Sequence, residues 1–144
     1  MNKERINKIF ATDQFGFRKF TVYQKALELE GELHLLSGKF PKGEIFGLTT
    51  QVRRSSKSIC ANIAEGYEKR MYPAHFKSKM TDADMENTGT QIWCDFAFAC
   101  EYVDEEQHAK ILKTSAEVGK MLNNMEANPE KFLPKNNKVE TKKK

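Results

Sequence analysis

The residues with the clearest potential for binding chemistry are three cations in the segment EIFGLTTQVRRSSKSICANIAEG, residues 44–66. If this segment is an α-helix with about 100° per residue, Arg53, Arg54 and Lys57 lie largely opposite its packing side. The packing side contains Leu48, Val52, Ser55, Ser56, Ile59 and Ile63. Guanidinium groups bind phosphate through two parallel hydrogen bonds, and lysine adds a point charge. The pattern predicts a nucleic-acid-binding surface, which further cations extend at Lys69, Arg70, Lys77 and Lys79.

The same cations also allow a purely structural interpretation. No acidic residue occurs between Ile45 and Ala64, so the helix cannot neutralise them internally. Residues 1–79 carry 15 Lys and Arg against 8 Asp and Glu, whereas residues 80–109 carry 8 acidic residues and no Lys or Arg. Arg53 or Arg54 could therefore pair with Glu65 or with the acidic segment, in the same subunit or in a neighbouring one.

The cysteines and histidines give little support for catalysis. The three cysteines, Cys60, Cys94 and Cys100, cannot all be paired in disulfides within one chain. We therefore expect reduced thiols in a cytoplasmic protein. Glu105 and His108 match half of a di-iron motif, but the chain has no second Glu-x-x-His. The spacing leaves open a nucleophilic pair of Cys60 with a histidine. No oxyanion loop supports such a pair, and no glycine-rich phosphate-binding loop is present either. The sequence predicts no catalytic residue, metal site or cofactor.

The hydrophobic pattern divides into four helices and shows no strand alternation. A seam of alternating four- and three-residue steps marks the first helix, at Val22, Ala26, Leu29, Leu33, Leu36 and Phe40. The second helix extends to Arg70, and the third runs from Pro73 to Tyr102. The fourth begins after Asp104, which forms a capping-box sequence with Gln107, and stops before Pro129. Short connections favour antiparallel neighbours, so we predict an all-α, up-down-up-down four-helix bundle.

Three regions are expected along the chain: an N-terminal extension at 1–16, the bundle domain at 17–133, and a lysine-rich flexible tail at 134–144. The N-terminus lacks the apolar region of a secretory signal. No apolar run approaches the roughly 20 residues that cross a bilayer. We therefore expect a cytoplasmic protein without a membrane partner.

The third helix carries apolar groups all round its axis in the segment IWCDFAFACEYV, residues 92–103. One stripe contains Ile92, Phe96, Ala99 and Val103, and a nearly opposite stripe contains Cys94, Phe98 and Tyr102. Since a helix of a four-helix monomer normally buries one side, the second stripe is a candidate oligomer interface. Ala61 and Ala64 on the second helix would allow close approach there. Deep burial in an irregular monomer is the alternative.

A family resemblance is carried mainly by LTTQVRRSSKSICANIAEG, residues 48–66. This segment resembles the signature of a bacterial four-helix-bundle family associated with intervening sequences in 23S ribosomal RNA genes. The first-helix pattern of that family also appears as FTVYQKA at 20–26, and its turn appears as FP at 40–41 with EIFGL at 44–48. The resemblance implies a bundle over residues 17–133 that assembles as a homopentameric ring, without known catalytic activity and with a relation to RNA.

The same fold is similar to the accessory protein of diversity-generating retroelements. That protein is a basic pentameric bundle that works with nucleic acid and a reverse transcriptase. The likeness to it is a likeness of fold, which does not by itself imply the same function. The resemblances imply three kinds of partner: other copies of the chain, structured RNA or DNA, and a nucleic-acid-processing protein.

Two functional hypotheses follow from the sequence. The first is a noncatalytic homo-oligomeric bundle that binds RNA or another nucleic acid. The alternative is a protein-interaction scaffold without nucleic-acid binding, in which the basic side of residues 44–66 docks onto the acidic segment of a neighbouring subunit.

Overall fold

A computed structural model describes residues 1–13 and 16–134 of the chain. Within those ranges it contains five α-helices and no strand, which confirms the all-α prediction. The helices are α1 (Lys3–Ala11), α2 (Thr21–Ser37), α3 (Leu48–Glu68), α4 (Pro73–Ala99) and α5 (Glu105–Ala127). Short 3-10 turns cover Phe17–Lys19, Lys42–Glu44 and Pro129–Phe132. Apart from Pro134, the predicted lysine-rich tail lies outside the described residues.

The N-terminal extension contains a helix that the hydrophobic pattern did not reveal. α1 begins after Asn2, whose side-chain oxygen accepts a hydrogen bond from the Arg5 backbone N–H at 3.0 Å. Asparagine is among the best residues for this capping position because its side chain satisfies a free helical N–H. The signal was therefore present in the sequence at Asn2.

The predicted helix boundaries hold best where capping chemistry is strong. α5 begins after Asp104, and both hydrogen bonds of the capping box with Gln107 are present. α4 ends at Ala99 rather than Tyr102. Glu101 adopts a left-handed backbone with φ of 64°, and the Tyr102 N–H returns to the Ala97 carbonyl. These features form a Schellman-type end that sequence periodicity does not show.

The start of α3 also differs from the prediction, which placed helical residues from Glu44. Residues Lys42–Glu44 form a separate 3-10 turn, and α3 starts at Leu48. The Glu44 side chain accepts a hydrogen bond from the Leu48 N–H at 3.3 Å and another from the Tyr102 hydroxyl at 2.8 Å. Glu44 therefore joins the start of α3 to the connection between α4 and α5.

The core lies between α2, α3, α4 and α5. α2 packs against α3 and α5, and α4 packs against the same two helices. Fully buried apolar side chains come from all four helices, among them Leu29, Leu33, Val52, Ile59, Ile63, Phe76, Met80, Val118 and Leu122. At this size, burial of apolar surface is the main favourable term in folding.

The inward face of α4 corrects the predicted exposed stripe. Its buried residues follow steps of four and three, at Phe76, Met80, Ala83, Asn87, Thr90, Cys94 and Ala97. Cys94 is only 4% exposed, so its assignment to an outer interface is wrong. Tyr102 is also held within the protomer, where it packs against Phe40 with ring centroids 5.6 Å apart. Phe98 stacks on His108 at 4.5 Å and stays partly exposed.

Polar side chains occupy the middle of this seam and have partners there. Asn87 donates to the Ser115 carbonyl at 2.9 Å and accepts from the Ser115 hydroxyl at 2.8 Å. The Thr90 hydroxyl donates to the Ser55 hydroxyl at 2.8 Å. Buried polar groups are tolerated when they are hydrogen-bonded in this way. The polar layer ties α4 to α3 and α5 and turns Ile92 and Phe96 outward.

Candidate nucleic-acid interface

The cations in the middle of α3 are engaged with α2. Lys57 places Nζ 2.7 Å from Oε1 of Glu30, whose side chain is only 5% exposed. A buried carboxylate needs a charge partner or hydrogen bonds to offset its lost hydration. Lys57 therefore stabilises the contact between α2 and α3, although its own side chain remains largely exposed.

Arg53 contacts the end of α2. Its Nε donates to the Ser37 hydroxyl at 2.9 Å, and its Nη2 donates to the His34 carbonyl at 3.1 Å. The His34 carbonyl also accepts a hydrogen bond from the Gly38 N–H at 3.3 Å, so the guanidinium supplies a further donor at the C-terminal end of α2, where carbonyl groups are short of partners. Arg53 is thus a helix-capping residue whose donors are partly used.

Arg54 points the other way, towards α4. Its Nη1 lies 3.3 Å from Oε2 of Glu86, and its Nε donates to Gln51 at 3.3 Å. Glu86 belongs to the acidic segment 80–109, so for Arg54 the structure contains the carboxylate pairing that the second interpretation required. The pair forms within one protomer.

The turn between α3 and α4, taken together with the first residues of α4 (residues 69–77), carries cations with a different environment; we call this segment the α3–α4 turn. Lys69, Arg70 and Lys77 form no ion pair with any carboxylate in the ranges that the structure describes. The Arg70 guanidinium lies over the Tyr67 ring, with Cζ 3.6 Å from the ring centroid. Cation–π stacking orders the guanidinium and leaves its N–H edges directed away from the ring.

Gly66 positions this turn. A Cβ at this residue would lie 2.3 Å from Cε of Met80 and 3.0 Å from Cβ of Lys79, so a larger residue would have to displace the Met80 methyl group and press on Lys79. Lys79 then reaches back to Glu65 on α3, with Nζ 2.7 Å from Oε2. This hydrogen bond raises the pKa of Lys79 above its ordinary value. Lys79 is therefore a bracing residue for the turn.

Aromatic contacts bring other basic segments to the same end of the molecule. Phe20 packs against Tyr67 at 5.2 Å and against Phe132 at 6.0 Å. Phe132 also stacks on Phe76 at 5.5 Å. Cations stand within three residues of each of these aromatics in sequence, so one end of the helical assembly carries Arg18, Lys19, Lys69, Arg70, Lys77 and Lys131. We call these six residues the basic end.

The buried thiols are chemically quiet. Burial raises the pKa of both Cys60 and Cys94 to about 12, so each thiol remains protonated near neutral pH. His108, the histidine of the half motif, lies 2.8 Å from Asp95. In the part of the chain covered by the structure, no cluster of three or more His, Cys, Asp or Glu could hold a metal ion. None of the helices described there has the length and hydropathy needed to cross a bilayer.

A second surface feature is apolar. Phe46 is 97% exposed in the loop before α3, and Phe96 on α4 is 53% exposed. Phe96 lines a groove together with Leu48, Gln51, Trp93 and Cys100, among others. Ile92 and Met85 continue the exposed apolar surface along α4. We call Phe46, Met85, Ile92 and Phe96 the α4 apolar surface.

The other predicted interface residues are not brought into this surface. Ala61 is exposed and Ala64 partly exposed on α3. Sequence reasoning placed the interface on the stripe of Cys94 because it did not continue the seam of Phe76, Met80 and Ala83 by further steps of four and three. The continuation passes through Asn87 and Thr90, which are buried although they are polar, so the apolar pattern does not include them.

Comparisons with known proteins agree on one group. A family model for the 23S rRNA-intervening sequence protein matches residues 18–124. A crystal structure of a protein of unknown function from the S23 ribosomal protein family of Bacteroides thetaiotaomicron is 30% identical, with a TM-score of 0.67. That similarity covers 73% of this chain and 97% of the other. Among curated proteins, none matches this sequence. The α3–α4 turn lies within the matched residues.

Proposed function

This chain belongs to the 23S rRNA-intervening sequence protein family, and on that premise we propose that it is a noncatalytic, cytoplasmic RNA-binding protein that works as a homo-oligomer. The RNA contact is assigned to the basic end, above all to Lys69, Arg70 and Lys77. Arg53, Arg54 and Lys57, the cations that the sequence favoured, serve first to hold the helices together.

The observation that supports this assignment is the difference in charge compensation between the two groups of cations. Lys57 and Arg54 already have carboxylate partners, Glu30 and Glu86. An RNA phosphate would have to compete with those partners. Lys69 and Lys77 are exposed and form no ion pair among the described residues. Lys77 feels the carboxylate of Glu126 without forming an ion pair with it. Phosphate binding at these two lysines therefore breaks no ion pair and releases counterions, which is the main source of affinity for nucleic acids.

For the assembly, we propose that helices α2 to α5 form an antiparallel up-down-up-down bundle and that copies associate as a five-membered ring. The pairwise packing of α2 and α4 with both α3 and α5 supports the bundle. The α4 apolar surface supports self-association, because Met85, Ile92 and Phe96 follow one face of α4 and an exposed apolar face marks an interaction site. A ring would repeat the basic end and multiply a weak contact.

The direct test is a salt titration of RNA binding. Fluorescence anisotropy of a labelled structured RNA should show binding at low salt, and the logarithm of the association constant should fall linearly with the logarithm of salt between about 50 and 200 mM. Failure to bind at low salt would reject the proposal.

A second candidate function is a protein-interaction scaffold without RNA binding. The internal pairing of Lys57 and Arg54 together with the α4 apolar surface favours it. The version in which α3 docks onto an acidic segment of a neighbour is weakened, since Arg54 meets Glu86 within one protomer. A scaffold predicts an oligomer that shows no salt-dependent RNA binding.

A further inference from the structure

Tyr72 is an exposed aromatic residue within the basic end. It stands at the start of α4 and is 58% exposed, and its ring lies nearly perpendicular to the His75 ring, with centroids 6.0 Å apart. Lys69 and Arg70 precede Tyr72, and Lys77 follows it by five residues. No acidic residue occurs from Lys69 to Thr81. The turn therefore combines an uncovered aromatic ring with cations on both sides.

This combination has a specific use in nucleic-acid binding. Single strands are bound by aromatic rings that stack on bases, while nearby cations contact the phosphates. In a duplex the bases are already stacked on each other and cannot reach a side chain in a turn. Sequence-specific and loop-directed RNA binding uses the same stacking on aromatic and guanidinium groups. An exposed tyrosine among cations thus favours unpaired bases over a paired stem.

We infer that the α3–α4 turn binds unpaired RNA bases, with Tyr72 as the stacking surface and with Lys69, Arg70 and Lys77 on the adjoining phosphates. This inference rests on the proposed function and names its substrate class: single-stranded segments, loops or bulges. Arg70 is already ordered over Tyr67, so less side-chain freedom is lost when it contacts a phosphate.

A second copy of the chain is a poorer occupant for this turn. A symmetric contact through the turn would bring Lys69, Arg70 and Lys77 against the same residues of the other copy, and like charges repel. The α4 apolar surface offers an uncharged alternative for that contact.

The experiment compares a labelled single-stranded RNA with a fully paired duplex of the same strand, using the full chain. The variants are Tyr72→Ala, Tyr72→Phe and, as a matched control, Met71→Ala, which removes a neighbouring exposed apolar side chain. We expect Tyr72→Ala to weaken single-strand binding by about tenfold, since stacking on one base is commonly of that size. Tyr72→Phe and Met71→Ala should stay within about twofold, because the ring is kept or was never involved. Duplex affinity should not change.

The outcomes distinguish RNA binding in general from base stacking on Tyr72. If the wild-type chain binds neither RNA, the proposed function fails and this inference fails with it. If it binds RNA but Tyr72→Ala leaves single-strand affinity unchanged, the inference is overturned while the proposed function stands. A change in oligomer mass for Tyr72→Ala, measured by light scattering, would identify Tyr72 as a subunit contact and would also overturn it.

Discussion

The amino group of Lys57 lies 2.7 Å from the buried carboxylate of Glu30, so this cation links α3 to α2. Replacing Lys57 by alanine should leave Glu30 without its charged partner. We expect the free energy of unfolding to fall by about 1–3 kcal/mol. Urea denaturation followed by circular dichroism measures this change.

The matched control for this prediction is the double variant Glu30→Leu/Lys57→Ala. The double variant also removes the buried Glu30 carboxylate, so no uncompensated charge is left inside the protein and stability should recover relative to Lys57→Ala. Full stability of Lys57→Ala, accompanied by loss of RNA binding, would instead favour a direct phosphate contact at Lys57.

Arg53 supports a separate prediction through its contact with the end of α2. Arg53→Lys keeps the charge but cannot reproduce both hydrogen bonds to Ser37 and His34. We expect a loss of stability of about 1–2 kcal/mol with little change in RNA affinity. If RNA affinity fell while the melting curve stayed the same, the capping role would be wrong.

The thiols should differ sharply in reactivity. At about pH 8, Cys100 should react with Ellman's reagent, whereas the raised pKa and burial of Cys60 and Cys94 should protect both until the chain unfolds. Cys100→Ser should abolish the rapid reaction. Rapid modification of Cys94 in the folded protein would show that its thiol is accessible and would contradict its burial on the inward face of α4.

The raised pKa of Cys60 and Cys94 also predicts how the free energy of unfolding changes at alkaline pH. Both buried thiols have a pKa of about 12, raised from an ordinary value of 9.0. Between these values the unfolded chain loses thiol protons that the folded chain retains, so stability should fall as pH rises through this window. Cys60→Ala/Cys94→Ala should flatten that part of the stability profile in urea titrations.

The α4 apolar surface can be tested by charge insertion. Phe96→Asp should reduce the mass of the oligomer in sedimentation experiments without loss of helical circular dichroism, because a buried unpaired charge opposes association. Leu35→Asp, at an exposed site on α2, is the control and should leave the mass unchanged. An oligomer that tolerates Phe96→Asp would place the contact elsewhere.

Much of the fold could be predicted because local chemistry sets it. The seam of Val22 to Leu33, the capping box at Asp104 and the position of Pro73 each specify an element from a few neighbouring residues. The inward side of α4 was harder because both sides near Cys94 are apolar. The deciding residues are Asn87 and Thr90, which are buried only because Ser115 and Ser55 supply partners from other helices.

The candidate site was predicted in part. Lys69 and Arg70 belonged to the predicted surface, and Lys77 extended it, but the sequence ranked Arg53, Arg54 and Lys57 first. Lys57 and Arg54 pair with Glu30 and Glu86, which lie far away in sequence, so only tertiary packing shows that these two charges are compensated. Arg53 instead donates to two neutral oxygens at the end of α2. Tyr72 carries a signal in sequence, an aromatic residue between cations, that the helix pattern alone passed over.

The central claim is that RNA phosphate binds the cations of the α3–α4 turn that form no ion pair among the described residues, and one comparison tests it most directly. Lys69→Gln/Lys77→Gln and the charge-matched control Lys113→Gln/Lys120→Gln on α5 remove the same number of positive charges from exposed positions. Salt-titrated RNA binding should weaken by about tenfold or more for the first variant, with a salt slope reduced by about one per lost phosphate contact, and should change little for the second. Equal affinities for the two variants would contradict the claim.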